Sequence, residues 1–538
     1  QMAMRQQRFR AACSLAAVFV LGLAVSASAQ GPSSIQASAA AQAGPAGAVR
    51  QLTLDQAVQL ALENNLGLQV QRLTPQVQDV NITLSKTVWA PTLGGSVTAS
   101  KRNSPVNSFL AGADDKVIND SLSSEVSATQ LLPWGGGNYR VSLDTNRQES
   151  NSAFSSPNPS LGANIRLNFT QPLLKDFKID SARQQLIVSK ANRDISDFDL
   201  RQTVLSTVRG VKYAYWDLKA AQSALRVAQQ SLDLARESLR NNRTRVEVGT
   251  MAPIDVVEAE AEVARREESV IVAEGTLGRT ADRLRTLIFP QDMTDYWSVK
   301  LEPVDQAVLE RRPVDTESAV KTALEKRTDL KAARKNIEIT DTSLAFYKNQ
   351  SLPDLAAVLS YGQTGQGGTK KNFGGGFPPV EIDRIQEGYG TVLSRVVQPD
   401  YNNWSVALQV SYPLGTSSAE ANTTRTRLTK SQQLLQLKEL ELSVVTSVRD
   451  IARQVDTNWK RLEATSATRR LMERRLESEQ KKFTAGLSTN YLVFQAQRDL
   501  ADAQYAELVA SLDYNKSLID FETVQESPTA GSAGVSIR

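Results

Sequence analysis

The side chains that carry most protein chemistry are nearly missing from this sequence. Its 538 residues contain no histidine and one cysteine, Cys13. Imidazole acid–base catalysis and Cys/His zinc sites are therefore excluded, and disulfides have no second thiol. Glu258 and Glu262 stand at helical spacing, but no base, metal-ligand set or phosphate loop converges with them. Gly374-Gly375-Gly376 lacks the lysine and following helix of a phosphate loop. Two other patterns stand out. Arg166 and Asn168 alternate with Ile165, Leu167 and Phe169, and Gln409 sits between Leu408 and Val410. If the apolar residues face lipid, Arg166, Asn168 and Gln409 face water, because a midplane arginine in lipid costs about 2–4 kcal/mol. Arg245 and Lys482 each precede a glycine, Gly249 and Gly486, by four residues at the end of a long periodic run. A glycine there suits a helix C-cap, and a cation suits the negative end of the helix dipole. The chemistry expected is that of surfaces and helix ends, with no cofactor and no enzyme activity.

The elements that must position these residues are long. Val204, Val211, Leu218, Leu225, Leu232, Leu239 and Val246 recur every seventh residue, with Ala214, Ala221, Ala228 and Ala235 between them. This spacing predicts a coiled-coil rod over 177–248, roughly 108 Å long at about 1.5 Å per residue. A second rod is expected over 417–485, with Val448, Val455, Leu462, Leu476 and Phe483 in register and Arg469 interrupting. Shorter helices follow at 253–288 and 489–524. Residues 53–93 and 315–355 align without a gap, so the chain reads as two copies of one unit: short helix, strands, rod, glycine turn, short helix. The short helices 253–288 and 315–350 together equal a rod in length, as do 489–524 and 53–88. These pairs are expected to stack end to end. A break is expected near Thr74-Pro75.

Strands are expected within 92–172 and 354–413, where residues alternate and turn glycines such as Gly135-Gly136-Gly137 intervene. Trp404 and Tyr412 suit an interfacial aromatic girdle. Runs of about 9–11 residues match membrane-barrel strands. A few strands cannot close a barrel alone, and open edges are intolerable in lipid, so the barrel must be shared between subunits. Four strands per chain give twelve in a trimer and six give eighteen. Four is favoured, with the hairpin of Ser124–Leu132 and Tyr139–Arg147 standing outside the membrane.

The chain opens as a secretory signal over 1–29: Arg5, Arg8 and Arg10, then an apolar run Ala11–Val25, too short to span a bilayer. A disordered leader is expected over 30–51, an equatorial segment over 289–314, and a disordered tail over 525–538. The formal charge of +4 includes the three leading arginines. The remainder is close to neutral, and nothing marks a nucleic-acid binder. No other stretch approaches the length of a transmembrane helix.

Leu52-Thr53-Leu54-Asp55-Gln56-Ala57 with Ala61-Leu62-Glu63-Asn64-Asn65 resembles the opening of TolC-type outer-membrane efflux proteins. So do Gln171-Pro172-Leu173 and Tyr412-Pro413-Leu414 after the strands. So do the tips Val248-Gly249-Thr250 with Asp255-Val256-Val257-Glu258-Ala259, and Gly486-Leu487 with Val493-Phe494-Gln495-Ala496. The order of these motifs, twice over 52–288 and 315–524, is more specific than any one of them. The resemblance implies an α+β membrane protein with two internal repeats. Its long coiled-coil helices form a trimeric periplasmic α-barrel joined to a shared transmembrane β-barrel. It implies an outer-membrane duct of a tripartite efflux or type I secretion system, working with a periplasmic adaptor and an inner-membrane transporter. It implies adaptor docking at Arg245 with Gly249 and Lys482 with Gly486. The family's carboxylate ring aligns with Leu492 and Gln495, where no acid stands. Asp255 matches a family position that holds the tip shut, but its basic partner aligns with Ser488. A hydrophobic constriction at Leu492 is then the expected gate. The rival reading is a periplasmic adaptor, or a coiled-coil structural or adhesin protein, without a pore. Two hairpins and two strand inserts count against it.

Overall fold

The computed structural model describes residues 49–106, 116–152, 155–289, 297–307, 310–374, 380–415 and 417–528. The expected signal, the leader up to residue 48 and the tail from 529 lie outside the described residues. In chain order the elements are β1 (Val49–Leu52), α1 (Leu54–Asn64), α2 (Leu66–Thr87), β2 (Thr92–Pro105), β3 (Lys116–Leu131), β4 (Asn138–Ser150) and β5 (Ser160–Pro172). Then come α3 (Ser181–Glu247), α4 (Ile254–Ile288), β6 (Lys300–Pro303), α5 (Thr316–Lys326), α6 (Thr328–Gln350), β7 (Asp354–Gly374) and β8 (Val380–Gln386). The last are α7 (Tyr389–Val397), β9 (Asn402–Ser411), α8 (Ser418–Thr484) and α9 (Asn490–Val524).

The rods α3 and α8 each run 67 residues, and the helices after them, α4 and α9, each run 35. Asp180 and Ser417 start the rods by accepting the backbone N–H of Arg183 and Glu420, which satisfies donors that a helix start leaves open. Thr53 and Gln56 form a reciprocal capping box at α1. On α3 the heptad members Val211, Leu218 and Leu232 are buried together with Ala214, Ala221 and Ala235. Burying each large one contributes about 1.5–3 kcal/mol, and the alanines let a neighbouring helix approach closely. Arg469, which interrupts the heptads of α8, reaches across to Glu507 of α9 at 2.5 Å.

The helices pack as one layer. In the half nearer the strands the order is α2, α3, α6, α8; in the half nearer the glycine turns it is α4, α3, α9, α8. The stacking partners therefore differ from those expected. α1–α2 stand over α4, and α5–α6 over α9. Equal lengths cannot choose between the two pairings; local contacts can. The Asn64 and Asn65 amides donate to the carbonyls of Ile288 (3.1 Å) and Leu287 (3.4 Å) at the end of α4. Ala57 and Ala61 share a core with Leu284 and Ile288. Thr328 N–H donates to the Glu526 carbonyl just past α9.

Three further expectations are corrected. Residues 49–51, assigned to the leader, form β1 together with Leu52, and this strand pairs in parallel with β6 inside the equatorial segment. The tail does not begin at 525: Ser527 is fully buried and Arg201 pairs with Glu526 at 2.7 Å. Pro75 lies inside the continuous α2, and the break falls at Asn65, whose side chain caps the new helix on Leu68 N–H. Two buried tyrosines pin the equator. Tyr215 of α3 lies 2.9 Å from the Leu52 carbonyl and 2.7 Å from the Asp305 carboxylate, and accepts from Asp305 N–H. Tyr514 of α9 donates to the Glu310 carbonyl at 2.9 Å and accepts from Arg312 N–H at 3.0 Å.

The strands make one antiparallel sheet in the order β2-β3-β4-β5-β7, with β9 along the first half of β7 and β8 along its last residues. The β3–β4 hairpin, expected to stand apart, is hydrogen-bonded on both sides, β3 to Thr92–Pro105 of β2 and β4 to residues 160–170 of β5. Gly135 and Gly136, both at positive φ, turn it. The region 354–413 also holds a helix, α7, where strands alone were expected. Its Val392 and Val396 pack on Leu161 and Ala163. A β-carbon on Gly365 would lie 2.2 Å from the Val392 carbonyl oxygen, so only glycine gives α7 that floor.

Candidate functional site

At the far end of the layer, both rods finish in the same turn. Gly249 and Gly486 adopt φ of +76° and +75°. Gly249 N–H donates to the Val246 carbonyl, and Thr250 N–H to the Arg245 carbonyl at 2.8 Å. Gly486 N–H and Leu487 N–H repeat this on Phe483 and Lys482. These are two Schellman caps, and in both the cation occupies the residue whose carbonyl takes the longer-range bond. No atom lies within 4 Å of a β-carbon added at either glycine. The tips are thus glycine because of φ, and the space beside each is open. Apolar side chains surround it: Val248, Ile254 and Leu487 are largely exposed.

The structure joins the two tips. The Arg245 guanidinium lies over the Phe483 ring, 4.8 Å from its centroid. Lys482 pairs with Glu479 at 2.7 Å, and Ser488 donates to the other Glu479 oxygen at 2.9 Å. The Lys482 ammonium, then the Ser488 hydroxyl, hold the Glu479 carboxyl below the usual carboxylate range. Ser488 therefore binds within its own hairpin rather than to Asp255. Asp255 stands in the first turn of α4, and its carbonyl faces the buried Asn242 amide at 3.5 Å. Leu492 is exposed and Gln495 half-buried. One turn further in, Glu262 is buried and accepts from Arg266 at 2.8 Å and from Arg498 of α9 at 3.4 Å. Phe483 was read as a heptad member and Glu262 as one of two carboxylates at helical spacing, without a role at the tips, and Glu479 was not singled out, because each looks like one more residue of a charged rod.

At the other end the sheet has two unlike faces. The register puts Leu93, Val97, Leu122, Val126, Val141, Leu143, Ile165, Leu167, Leu359, Val406 and Leu408 on one side. Arg166, Asn168 and Gln409 share the other side with Ser96, Ser127, Arg140, Asp144 and Ser405. On that polar face Arg140 pairs with Glu125, Arg166 lies 3.8 Å from Asp144, and Asn168 accepts from Ser360 at 2.9 Å. Trp404 and Tyr412 mark the two ends of the apolar run on β9 and are well exposed.

The flanks of the helical layer carry a signal that the sequence reading passed over. Val70, Leu73, Val77, Val80 and Leu84 form a 3-4 stripe on α2, and all are more than half exposed. On the opposite flank Leu428, Leu435 and Leu442 of α8 stand at seven-residue spacing and are 66–70 % exposed. An apolar heptad stripe with nothing against it marks an unfilled helix contact. Among the described residues no helix is long and apolar enough to cross a membrane, and no cluster of carboxylates could hold a metal.

Compared with known proteins, residues 57–288 and 319–524 match the family described as Outer membrane efflux protein. The chain is 23% identical over 448 residues to Outer membrane protein TolC of Vibrio cholerae serotype O1, covering 81% of this chain and 91% of that protein. Among solved structures it resembles the Campylobacter jejuni CmeC outer membrane channel, with a TM-score of 0.62 and 14% identity over 88% of this chain and 85% of that one. It also resembles the Vibrio cholerae outer membrane protein VceC (TM-score 0.60, 14% identity, 88% and 96% covered). The open state of the Neisseria gonorrhoeae MtrE outer membrane channel scores 0.58 at 18% identity, with 88% and 89% covered. At these identities the structural likenesses speak to the fold.

Proposed function

The chain belongs to the outer membrane efflux protein family, and from that membership we propose that it is the outer-membrane channel of a tripartite efflux or type I secretion system. It carries solutes or proteins from an inner-membrane pump across periplasm and outer membrane. The observation that carries this reading is the two-faced sheet set on a helical layer, both with unfilled flanks. A polar face bearing Arg166 and Asp144 beside an apolar face bearing Leu167 and Val406 suits water on one side and lipid on the other. A lone chain leaves β2 and β9 as open edges, which lipid does not tolerate. Copies set side by side satisfy the strand edges and the α2 and α8 stripes at once. We take three copies, the number the family resemblance implies, and read the two rod-bearing halves as internal repeats.

In this assembly Arg245 with Gly249, and Lys482 with Gly486, form the docking tips for a periplasmic adaptor. Leu492, with Asp255, Ser488 and Gln495 around it, lines the periplasmic mouth. Arg166, Asn168 and Gln409 face the lumen. Purified protein in a planar lipid bilayer is expected to give large, steady single-channel conductance and to migrate as a detergent-resistant oligomer. A water-soluble monomer without conductance would refute the duct and favour a poreless coiled-coil protein.

A further inference from the structure

We propose that all six long strands of each chain cross the membrane. Three copies then close an eighteen-stranded barrel in which β9 of one protomer pairs with β2 of the next. The inference rests on the duct reading and adds to it the strand number and the subunit seam.

The ladders come first. β2, β3, β4, β5, β7 and β9 are hydrogen-bonded in sequence order, each antiparallel to the last. The shortest, β9, has 10 residues, enough for a tilted strand to span the hydrocarbon layer. β2 and β5 are separated by two intervening strands, so removing the β3–β4 hairpin from the membrane would break two ladders, β2–β3 and β4–β5, and leave both unpaired edges in lipid.

The faces agree with the ladders. The apolar face does not stop at the hairpin. Leu122 and Val126 of β3 and Val141 and Leu143 of β4 lie on the same face as Leu93 and Val97 of β2 and Ile165 and Leu167 of β5; Val141 falls in one row with Leu93 and Leu167, and Val126 and Leu143 in one row with Ile165. All four hairpin side chains are exposed in the single chain. A hairpin standing in water has no use for this set, and one facing lipid requires it. Level with Val126, Val141 and Leu143, the hairpin's charged side chains Glu125, Arg140 and Asp144 fall on the polar face, and the charges that share the apolar side, Lys116, Asp120, Arg147 and Glu149, come only from Leu122 outward, toward the far strand ends. The apolar run also slides along the strands, from Leu93–Ala99 on β2 to Trp404–Val410 on β9. Traced through the registers, the shift is about six residues, in keeping with the stagger that strands tilted about 35–45° show in a closed barrel.

The edges fit each other. An even number of antiparallel strands leaves β9 and β2 running in opposite directions, so a second copy continues the same ladder. Both edge strands are exposed along almost their whole length. The widths match as well. Four helix columns about 8–10 Å apart occupy about 32–40 Å of circumference. Six strands about 4.8 Å apart and tilted about 40° occupy about 38 Å, while four occupy about 25 Å.

The test uses single cysteines in the full chain reconstituted in liposomes, with Cys13 replaced by serine. Val126→Cys and Leu143→Cys probe the hairpin, and Val406→Cys probes a strand outside it. Each carries a small fluorophore, and lipids bearing a nitroxide are the quencher. Expected is quenching at the two hairpin positions within about twofold of that at position 406. A second readout pairs Ser405→Cys with Ser96→Cys or with Thr98→Cys, the two polar-face partners nearest the expected seam. One pairing is expected to give a covalent trimer ladder on oxidation. Strong quenching at 406 with none at 126 and 143 overturns the eighteen-stranded barrel and leaves the duct intact. No quenching at 406 overturns the duct reading itself. Quenching at all three without a cross-link from either cysteine pair overturns the β9–β2 seam.

Discussion

The two tip glycines separate a folding role from a docking role by substitution with asparagine. Their φ values of +76° and +75° cost an ordinary L-residue about 1–2 kcal/mol, whereas asparagine enters this region readily. No atom stands within 4 Å of the new β-carbon at either site, so Gly249→Asn with Gly486→Asn leaves both Schellman caps formed. The expected loss of tip stability is under about 1 kcal/mol per site, too little to unfold rods of 67 residues. Oligomer yield and single-channel conductance should match wild type. If an adaptor backbone sits against the glycines, the added side chain displaces it. Even about 1.4 kcal/mol of lost contact weakens docking tenfold. Export of a pump-dependent substrate by cells carrying the double variant should then fall at least tenfold. A Gly249→Ala, Gly486→Ala pair ranks the two effects: cap strain alone makes alanine worse than asparagine, while steric exclusion makes asparagine at least as damaging. Wild-type export by the asparagine pair would refute docking beside the glycines.

Other expectations follow from the same geometry. Leu73→Asp with Val80→Asp removes two members of the exposed α2 stripe, each contributing about 1 kcal/mol at a subunit contact. Size-exclusion in detergent should show monomers with unchanged helical circular dichroism. Tyr215→Phe leaves the Asp305 N–H without its hydroxyl partner and should cost about 1–3 kcal/mol. The midpoint of denaturant unfolding measures it, and Tyr514→Phe should behave alike. Removing a partner from the buried Glu262 site by Arg498→Ala should loosen α4 from α9. Faster amide exchange in 254–266 and 490–500, with no change near Tyr215, would register it. The Glu479 carboxyl is lowered in the folded tip, so its contact is present at neutral pH and is lost as pH falls through its depressed value. Exchange at 479–488 should rise only in acid, below the ordinary carboxylate range, and Glu479→Gln should remove that pH dependence.

Much of the molecule was legible in the residue order. Heptads at Val211, Leu218 and Leu232 give a rod because a seven-residue apolar repeat has no other way to bury itself. Gly249 and Gly486 give C-caps because only an achiral residue takes positive φ without strain. Alternation from Leu161 to Thr170 gives a strand with a wet face and a dry one. What stayed hidden depends on partners far along the chain. The expected stacking of 253–288 with 315–350 rested on equal lengths, which many pairings satisfy; the Asn64 and Asn65 amides on the last carbonyls of α4 decide it. The β3–β4 hairpin looked detachable because its serines and threonines dilute the alternation. Only the register reveals that Val126 and Leu143 fall in one apolar row with Gly95 and Ile165. The sequence by itself determined the long helices, their glycine caps and the clearest alternating strands, since these follow from side chains within a turn or two. Tertiary structure alone decided which helix stands over which, that Arg245 rests on Phe483 and that Glu262 is buried, because these are contacts between residues more than 200 positions apart, or depths that no local spacing encodes.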